Sequence, residues 1–410
     1  MPRVYMDYAA TAPMLPAAVD AMVDQMQTGG NPSSLHSAGR RARAAVEYAR
    51  EQIARVAGCD SAEIIFTSGG TEADNLAVKG LFWKRREANP AATRLIVSAV
   101  EHHAVADAAE WLQTHEGADI SWVYPDATGQ VTADSVREAV GENPETVALI
   151  AVMWANNEVG TVQPVAELAA LAAELEIPFH TDAVQAFGTL PVNFREVGAT
   201  TMAISAHKMG GPMGIGALIA TRSAQLMPVL HGGGQERSVR SGTVDAASIA
   251  GFGAAAAEVA DHLTAEGERL ATLRDKLVAG IRAVVPEAQL RGPVPESAEQ
   301  RAAGHFTRLP GNAHFTFPGC EGDSLLFLLD MAGVESSTGS ACNAGVPRPS
   351  HVLLAMGLSE EEARGAQRFT LGHTSTEDDV TALLDALPGA WAQAKKAGMA
   401  GHAPDAARWN

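Results

Sequence analysis

Four strand ends and one glycine-rich run carry side chains that could hold or attack a small molecule. They are Gly70 and Thr71 in "SGGTEADN", His102 in "VEHHAV", Asp182 in "HTDAVQAFG", Lys208 in "SAHKMGGPMGIG" and Cys342 in "SSTGSACNAG". A lysine delivered by an apolar strand has its neutral amine favoured by desolvation, which suits attack on a carbonyl. An aspartate at the tip of "PFHTDA" costs free energy to bury unless a cation or donor meets it, or unless it caps a helix begun by "DAVQAF". Two glycines before a helix start let the backbone N–H groups approach an anion. A histidine after a strand can stack, move a proton or serve packing alone. Each feature by itself has an ordinary structural explanation. Taken in order, an anion site, a histidine, an aspartate and a lysine on successive strand ends are the equipment for pyridoxal phosphate. Its aldehyde needs the lysine, its ring nitrogen the carboxylate and its phosphate the backbone donors.

Cys342 raises a different chemistry. Free cysteine normally behaves as a small buried hydrophobe. Here Gly339, Ser340, Ala341, Ala344 and Gly345 offer little apolar bulk and much backbone freedom, so a reacting thiolate is expected. Cys59 in "AGCDSAEI" and Cys320 in "FPGCEGD" sit at element junctions without basic neighbours and read as structural. Three cysteines, odd in number and far apart, suit neither a disulfide framework nor a metal cluster. A reducing compartment, free thiols and no metal are expected.

The elements that must position these groups are legible between Ile64 and Thr221. Short β-branched runs ("IIFTS", "RLIVSAV", "TVALIAVM", "TMAISAHK", "GIGALIAT") alternate with amphipathic or Ala-rich segments. That rhythm predicts an α/β fold with a mainly parallel sheet wrapped by helices, and ligands bind beyond the carboxyl ends of such strands. A long Ala-rich helix is expected from about Asp245 through Leu277. "VVPEAQLRGPVPESAEQRAAG" reads as surface loop, "NAHFTFPG" as a strand, "CEGDSLLFLLDMAG" as a helix closed by glycine and "KKAGMAGHAPDAARWN" as a loose tail. With 410 residues, a large cofactor-binding domain over 12–260 and a smaller α+β domain from 1–11 and 261–410 are expected, the latter carrying the cysteine. The formal charge of −18, spread along the chain, argues against tightly bound nucleic acid. No apolar run reaches the roughly 20 residues that span a bilayer, and the start "MPRVYMDYAATAP" has no signal-peptide pattern. A cytoplasmic chain follows as an expectation.

Eleven ordered motifs, from "MDYAATAP" and "GNPSSLHSAGR" to "HGGGQERSVRSGT" and "RFTLGHTSTEDD", cover nearly the whole chain. On these the sequence resembles the class V aminotransferase group of pyridoxal-phosphate enzymes, and within it the NifS/IscS-type cysteine desulfurases. The resemblance implies fold type I of these enzymes and removal of sulfur from L-cysteine, giving L-alanine and an enzyme persulfide. It implies Lys208 as the lysine bonded to the cofactor, Asp182 at the ring nitrogen, and His102 stacked on the ring and moving protons. It puts Gly70, Thr71, Ser205 and His207 around the phosphate, and Thr243 at the phosphate of a neighbouring subunit, hence a homodimer. Asn157 and Gln185 fall on the ring-hydroxyl side, Arg368 at the substrate carboxylate, and Asn31 and His36 in the substrate pocket. Cys342 would attack the substrate sulfur and pass it to an acceptor, an iron–sulfur scaffold or a tRNA-thiolating enzyme. The chain departs from many relatives in reading "SAHK" for "SGHK" and in placing Asn343 after the cysteine. Selenocysteine lyase, cysteine sulfinate desulfinase or a true aminotransferase on the same scaffold are the rival reactions. A non-catalytic sulfur-pathway scaffold is the rival of another class.

Overall fold

The computed structural model describes residues 3–339 and 349–396. Cys342 and Asn343, and the tail from residue 397, lie outside the described residues. A seven-stranded sheet runs in the order Ile64–Thr67, Gly216–Ala220, Thr201–Ser205, Phe179–Asp182, Val147–Ala151, Arg94–Ser98 and Asp119–Val123. Its pairings are parallel except those of Gly216–Ala220, which is antiparallel to both neighbours. Strand residues alternate between two buried faces. Ile64, Phe66, Ile96 and Ile150 pack with the helices Ser37–Ala57 and Val165–Glu174, whereas Ile65, Leu95, Val97 and Leu149 pack with Gly70–Ala88 and His103–Glu116. Burial on both sides explains why these strands read as continuous apolar runs.

The direction of the strands decides where polar side chains collect. Thr67, Ser98, Asp182 and Ser205 all end their strands at one edge of the sheet. Gly216 opens the antiparallel strand at that same edge, where a Cβ would come within 2.7 Å of the Gly69 carbonyl carbon and the Ile204 oxygen. Only glycine permits this close approach, so the turn leading to Gly70 depends on it.

A second, smaller core surrounds a three-stranded antiparallel sheet of Gln289–Leu290, Asn312–Thr316 and Ala366–Thr370. Phe315 and Phe369 pack there with Leu273, Leu277 and Ile281 of the helix Ala246–Val284 and with Leu383 and Leu387 of Glu377–Lys396. The long helix therefore serves both cores: Ile249 and Phe252 belong to the first. Val4–Tyr5 pairs in parallel with Val334–Glu335, which carries the N-terminal segment across the smaller core before it passes the large sheet.

The segment expected to be surface loop is more ordered than its composition implies. Gln289–Leu290 joins the small sheet, and Ala298–Ala302 is a short helix closed by a Ser297/Gln300 capping box. Arg308, fully buried, donates to the carbonyls of Val159 at 2.7 Å and Pro293 at 2.8 Å and so ties this segment to the turn that follows the strand Val147–Ala151. The helix predicted through Leu277 continues to Val284.

One buried ion pair secures the elements behind the site. Arg50 meets Glu236 through both terminal nitrogens at 2.9 Å, stands 4.5 Å over the Phe66 ring, and also donates to the Ile64 carbonyl. Glu236 in turn accepts the Phe66 N–H at 3.0 Å. Glu236→Ala leaves a buried guanidinium uncompensated and is expected to cost about 3–5 kcal/mol. Denaturant unfolding of the cofactor-loaded protein measures this as a lowered midpoint.

Candidate active site

The carboxyl ends of the strands open into a cavity of about 420 Å³. Gly70, Thr71, His102, Asn157, Asp182, Gln185, Ser205, His207, Lys208 and Arg368 all line it, so the structure brings together ten of the residues singled out in the sequence.

Lys208 follows the strand Thr201–Ser205 by one turn. Its Nζ donates to the carbonyls of Ala9 at 2.6 Å and Ala10 at 2.9 Å. Burial, followed by the nearby Arg368 guanidinium, pushes this amine down to about 8. A neutral nucleophilic amine is thus accessible at ordinary pH. The crossing segment that supplies the two carbonyls is itself held: Ala12 donates its N–H to the His207 carbonyl at 2.9 Å, and Gln185 Nε2 donates to the Ala9 carbonyl at 2.9 Å.

Asp182 ends its strand buried, with Oδ1 accepting the Val184 N–H at 2.8 Å. That contact closes a turn; no helix begins there, so the capping explanation for this aspartate does not hold in that form. Burial raises its carboxyl above the ordinary range, opposed by His102, by the Val184 N–H and by Lys208. A cation placed against it would restore the charged form.

His102 caps the helix His103–Glu116, its Nδ1 accepting the Ala104 N–H at 3.1 Å. An accepting Nδ1 leaves the ring proton on Nε2. Burial lowers its basicity, which keeps the imidazole neutral. Structural capping and a place in the cavity are therefore combined in one residue.

Gly69 begins the helix Gly70–Ala88, and no side chain caps that end. The first-turn N–H groups of a helix have no partners within it, so an anion is the natural complement. A Cβ on Gly70 would meet Val184 Cγ2 at 2.7 Å, which marks a close-fitting cradle. Ser205 and His207 stand beside it, and burial, then Lys208, pushes His207 down to about 4. An uncapped helix start, a buried carboxylate without a cation and a neutral-leaning lysine in one cavity fit the phosphate, ring nitrogen and aldehyde of pyridoxal phosphate.

Arg368 lies on the strand Ala366–Thr370, donating Nη1 to the Asn157 carbonyl and Nη2 to Asp7 Oδ1, both at 2.8 Å. Its Nε is buried without a partner among the described residues. Asn157 lines the cavity, whereas its neighbour Asn156 is fully buried and bonds only backbone and Met153, so the pair divides into one cavity residue and one structural residue.

Three expected residues do not line the cavity of their own chain. His36 caps the helix Ser37–Ala57 through the Gly39 N–H, Asn31 accepts the Ser33 N–H, and Thr243 is exposed. Cys59 and Cys320 are free thiols, and burial pushes both up to about 12, which makes them poor nucleophiles. Residues the sequence reading missed also line the cavity, among them Asp74, Glu158, Ser337, Gly339 and His351. Of these, His351 was the most detectable, since it accompanies the serine in "PSHVLL"; the carbonyls of Ala9 and Ala10 carry no sequence signal at all.

Comparison with known proteins identifies the family. The family model described as aminotransferase class-V matches residues 4–383. An IscS-like cysteine desulfurase of Mycobacterium tuberculosis is 52% identical over 396 residues, covering 97% of this chain and 98% of that protein. Cysteine desulfurase IscS of Clostridium botulinum is 40% identical over 387 residues, 94% of each. Among solved structures, a NifS-like protein aligns with a TM-score of 0.85 at 31% identity, over 95% of this chain and all (100%) of that one. SspA in complex with cysteine aligns with a TM-score of 0.74 at 35% identity, over 90% and 99%.

Proposed function

The chain belongs to the class-V aminotransferase family, and from that membership we propose how its site divides the work of a pyridoxal-phosphate-dependent cysteine desulfurase. L-Cysteine enters, L-alanine leaves, and the sulfur remains on the enzyme as a persulfide. The observation that carries this reading is the meeting of Lys208, Asp182 and Arg368 in one cavity.

When bound, the cofactor supplies an aldehyde for Lys208 and an electron sink for the charge left as the substrate Cα loses its proton. Gly70, Thr71, Ser205 and His207 would hold its phosphate, Asp182 its ring nitrogen, and Asn157 and Gln185 the hydroxyl side. His102 would cover the ring and keep a proton on Nε2 for delivery. Lys208 would take the substrate Cα proton. Arg368 holds the substrate carboxylate with the N–H groups that Asn157 and Asp7 leave over.

Cys342 as thiolate attacks the substrate sulfur. The Cβ–S bond breaks, an S–S bond forms on Cys342, and protonation of the former Cβ completes alanine. Support for Cys342 comes from its flanks: Gly339 before it and His351 after it both line the cavity. The unbulky composition around it suits a thiol that collects sulfur in the cavity and presents it outside.

We further assign Thr243 to the phosphate of a second subunit, making the enzyme a homodimer, with Asn31 and His36 on the substrate side once two chains meet. The sulfur acceptor is an iron–sulfur scaffold or a tRNA-thiolating protein, met in the cytoplasm. Among the described residues no helix is long and apolar enough to cross a membrane.

Alanine release from L-cysteine by the loaded enzyme, with sulfide freed from the persulfide by an added thiol reductant, tests the reaction, and its absence would remove it. Arg368→Ala tests the carboxylate grip. Loss of a charge-assisted pair worth about 1.5–3 kcal/mol predicts a KM raised roughly ten- to hundred-fold. The visible spectrum of the bound cofactor should stay as it is. An unchanged KM would move the carboxylate elsewhere in the cavity.

A further inference from the structure

Three buried carboxyl groups gather at the cavity, Asp74 and Asp182 lining it and Glu101 in the turn before His102, and among the described residues no lysine or arginine forms an ion pair with any of them. Asp74 and Glu101 are each 1% exposed and Asp182 is 5% exposed. Asp74 comes from the helix Gly70–Ala88, Asp182 from its strand end, and Glu101 from the turn before His102.

His180 precedes Asp182 by two residues and so shares a face of the strand with it. Its Nε2 meets Asp74 Oδ1 at 3.1 Å and its Nδ1 meets Thr201 Oγ1 at 3.0 Å. A neutral imidazole donates through one ring nitrogen and accepts through the other, so Thr201 and Asp74 between them satisfy both. Burial pushes His180 down to about 3, so this imidazole contributes no positive charge.

Glu101 Oε1 accepts the Met153 N–H, while Oε2 is buried with no partner among the described residues. A carboxylate with one bare oxygen in an apolar interior is penalised far more heavily than the neutral acid. Charges within such a group also oppose one another, so ionising one disfavours the next. Burial, then Asp182, raises both Asp74 and Glu101 well above the ordinary carboxylate range. Asp182 is helped toward ionisation by His102, the Val184 N–H and Lys208, whereas Glu101 has only the Met153 N–H and Asp74 has no such help.

We propose that Asp74 and Glu101 are neutral carboxylic acids in the loaded enzyme and act as positioning residues for Asp182, confining the one buried negative charge to the carboxylate that faces the cofactor's ring nitrogen. This rests on the assignment of Asp182 to that nitrogen. The two acids fill the space under the site with polar groups that neither repel the Asp182 anion nor offer the ring proton a second base. His180 and Thr201 fix Asp74 in that arrangement.

Infrared difference spectroscopy of the loaded enzyme at neutral pH tests it. Asp74→Asn and Glu101→Gln should each remove one protonated-carboxyl C=O band from the parent spectrum. Both should leave the pH titration of the cofactor's visible absorbance in place, because an amide replaces a neutral group of the same shape. Asp182→Asn should remove no such band and should weaken cofactor binding. If Asp182→Asn binds cofactor as the parent does, the assignment of Asp182 fails, whatever the bands do. If it behaves as expected and either of the other variants leaves the parent bands intact, or shifts the visible titration by more than about one unit, the proposal itself is overturned. Should a variant not fold, the parent protein decides alone: uniformly labelled Asp and Glu must shift carboxylic-acid bands present at neutral pH, and a spectrum without such bands contradicts the proposal.

Discussion

Cys342→Ser should abolish persulfide formation and reduce alanine release to background while cofactor content and visible absorbance remain those of the parent. Serine keeps the size of the side chain, but its hydroxyl is not ionised at neutral pH and is a poor nucleophile toward sulfur, whereas a thiolate is a strong one. Steps before sulfur transfer depend on Lys208, Asp182 and Arg368, which the substitution does not touch. The variant should therefore still exchange the substrate Cα hydrogen with solvent deuterium. Exchange without alanine is the expected signature, read by mass spectrometry of recovered cysteine. Alanine formed at the parent rate would transfer the nucleophile's role to another group. Cys59 and Cys320 are poor substitutes, since burial keeps both as thiols.

Lys208→Ala should fail one step earlier. It removes the amine that bonds the cofactor and the base that takes the Cα proton, and loss of a positioned base alone is worth roughly 10²- to 10⁴-fold. The visible absorbance that reports covalent attachment should disappear, and Cα exchange should fall with alanine production. Lys208→Arg should behave alike despite keeping the positive charge, because guanidinium does not release its proton at ordinary pH. Retained Cα exchange in either variant would give the proton transfer to another residue, and His102 would be the next to test. The opposite exchange behaviour of the two substitutions orders the steps: proton removal at Lys208, then sulfur transfer at Cys342.

Much of the scaffold is legible because doubly buried strands leave an unmistakable pattern. "IIFT", "RLIVS" and "TMAIS" are apolar on both faces, and each ends in a polar residue at the edge of the sheet where the cavity opens. Lys208 and Asp182 are visible for that reason. Asp74 is not, because it lies within a helix where an acid is unremarkable in sequence, and only the fold sets it against His180. The carbonyls of Ala9 and Ala10 that hold Lys208 are backbone groups and leave no trace in residue type. Composition misleads between Pro286 and Gly304, where polar and Pro-rich residues suggest loop while the Arg308 guanidinium anchors Pro293 to the turn at Val159. The Ser297/Gln300 capping box was the signal available for the short helix there.

His314 illustrates a residue whose setting only the fold reveals. It pairs in register with Arg368, is fully buried, and has neither ring nitrogen partnered among the described residues. Burial, followed by Arg368, pushes it down to about 3, so Arg368 has a neutral neighbour rather than a competing cation. That leaves the guanidinium charge available to the substrate carboxylate.

The central claim is that sulfur leaves L-cysteine onto Cys342. Mixing the loaded enzyme with sulfur-labelled L-cysteine for a single turnover, then alkylating and digesting it, measures this directly. The account predicts one labelled sulfur atom per active site, on the peptide containing Cys342, with alanine in equal amount and no label in Cys342→Ser. Alanine formed with the label on another peptide, or released as free sulfide with no labelled protein, would contradict it.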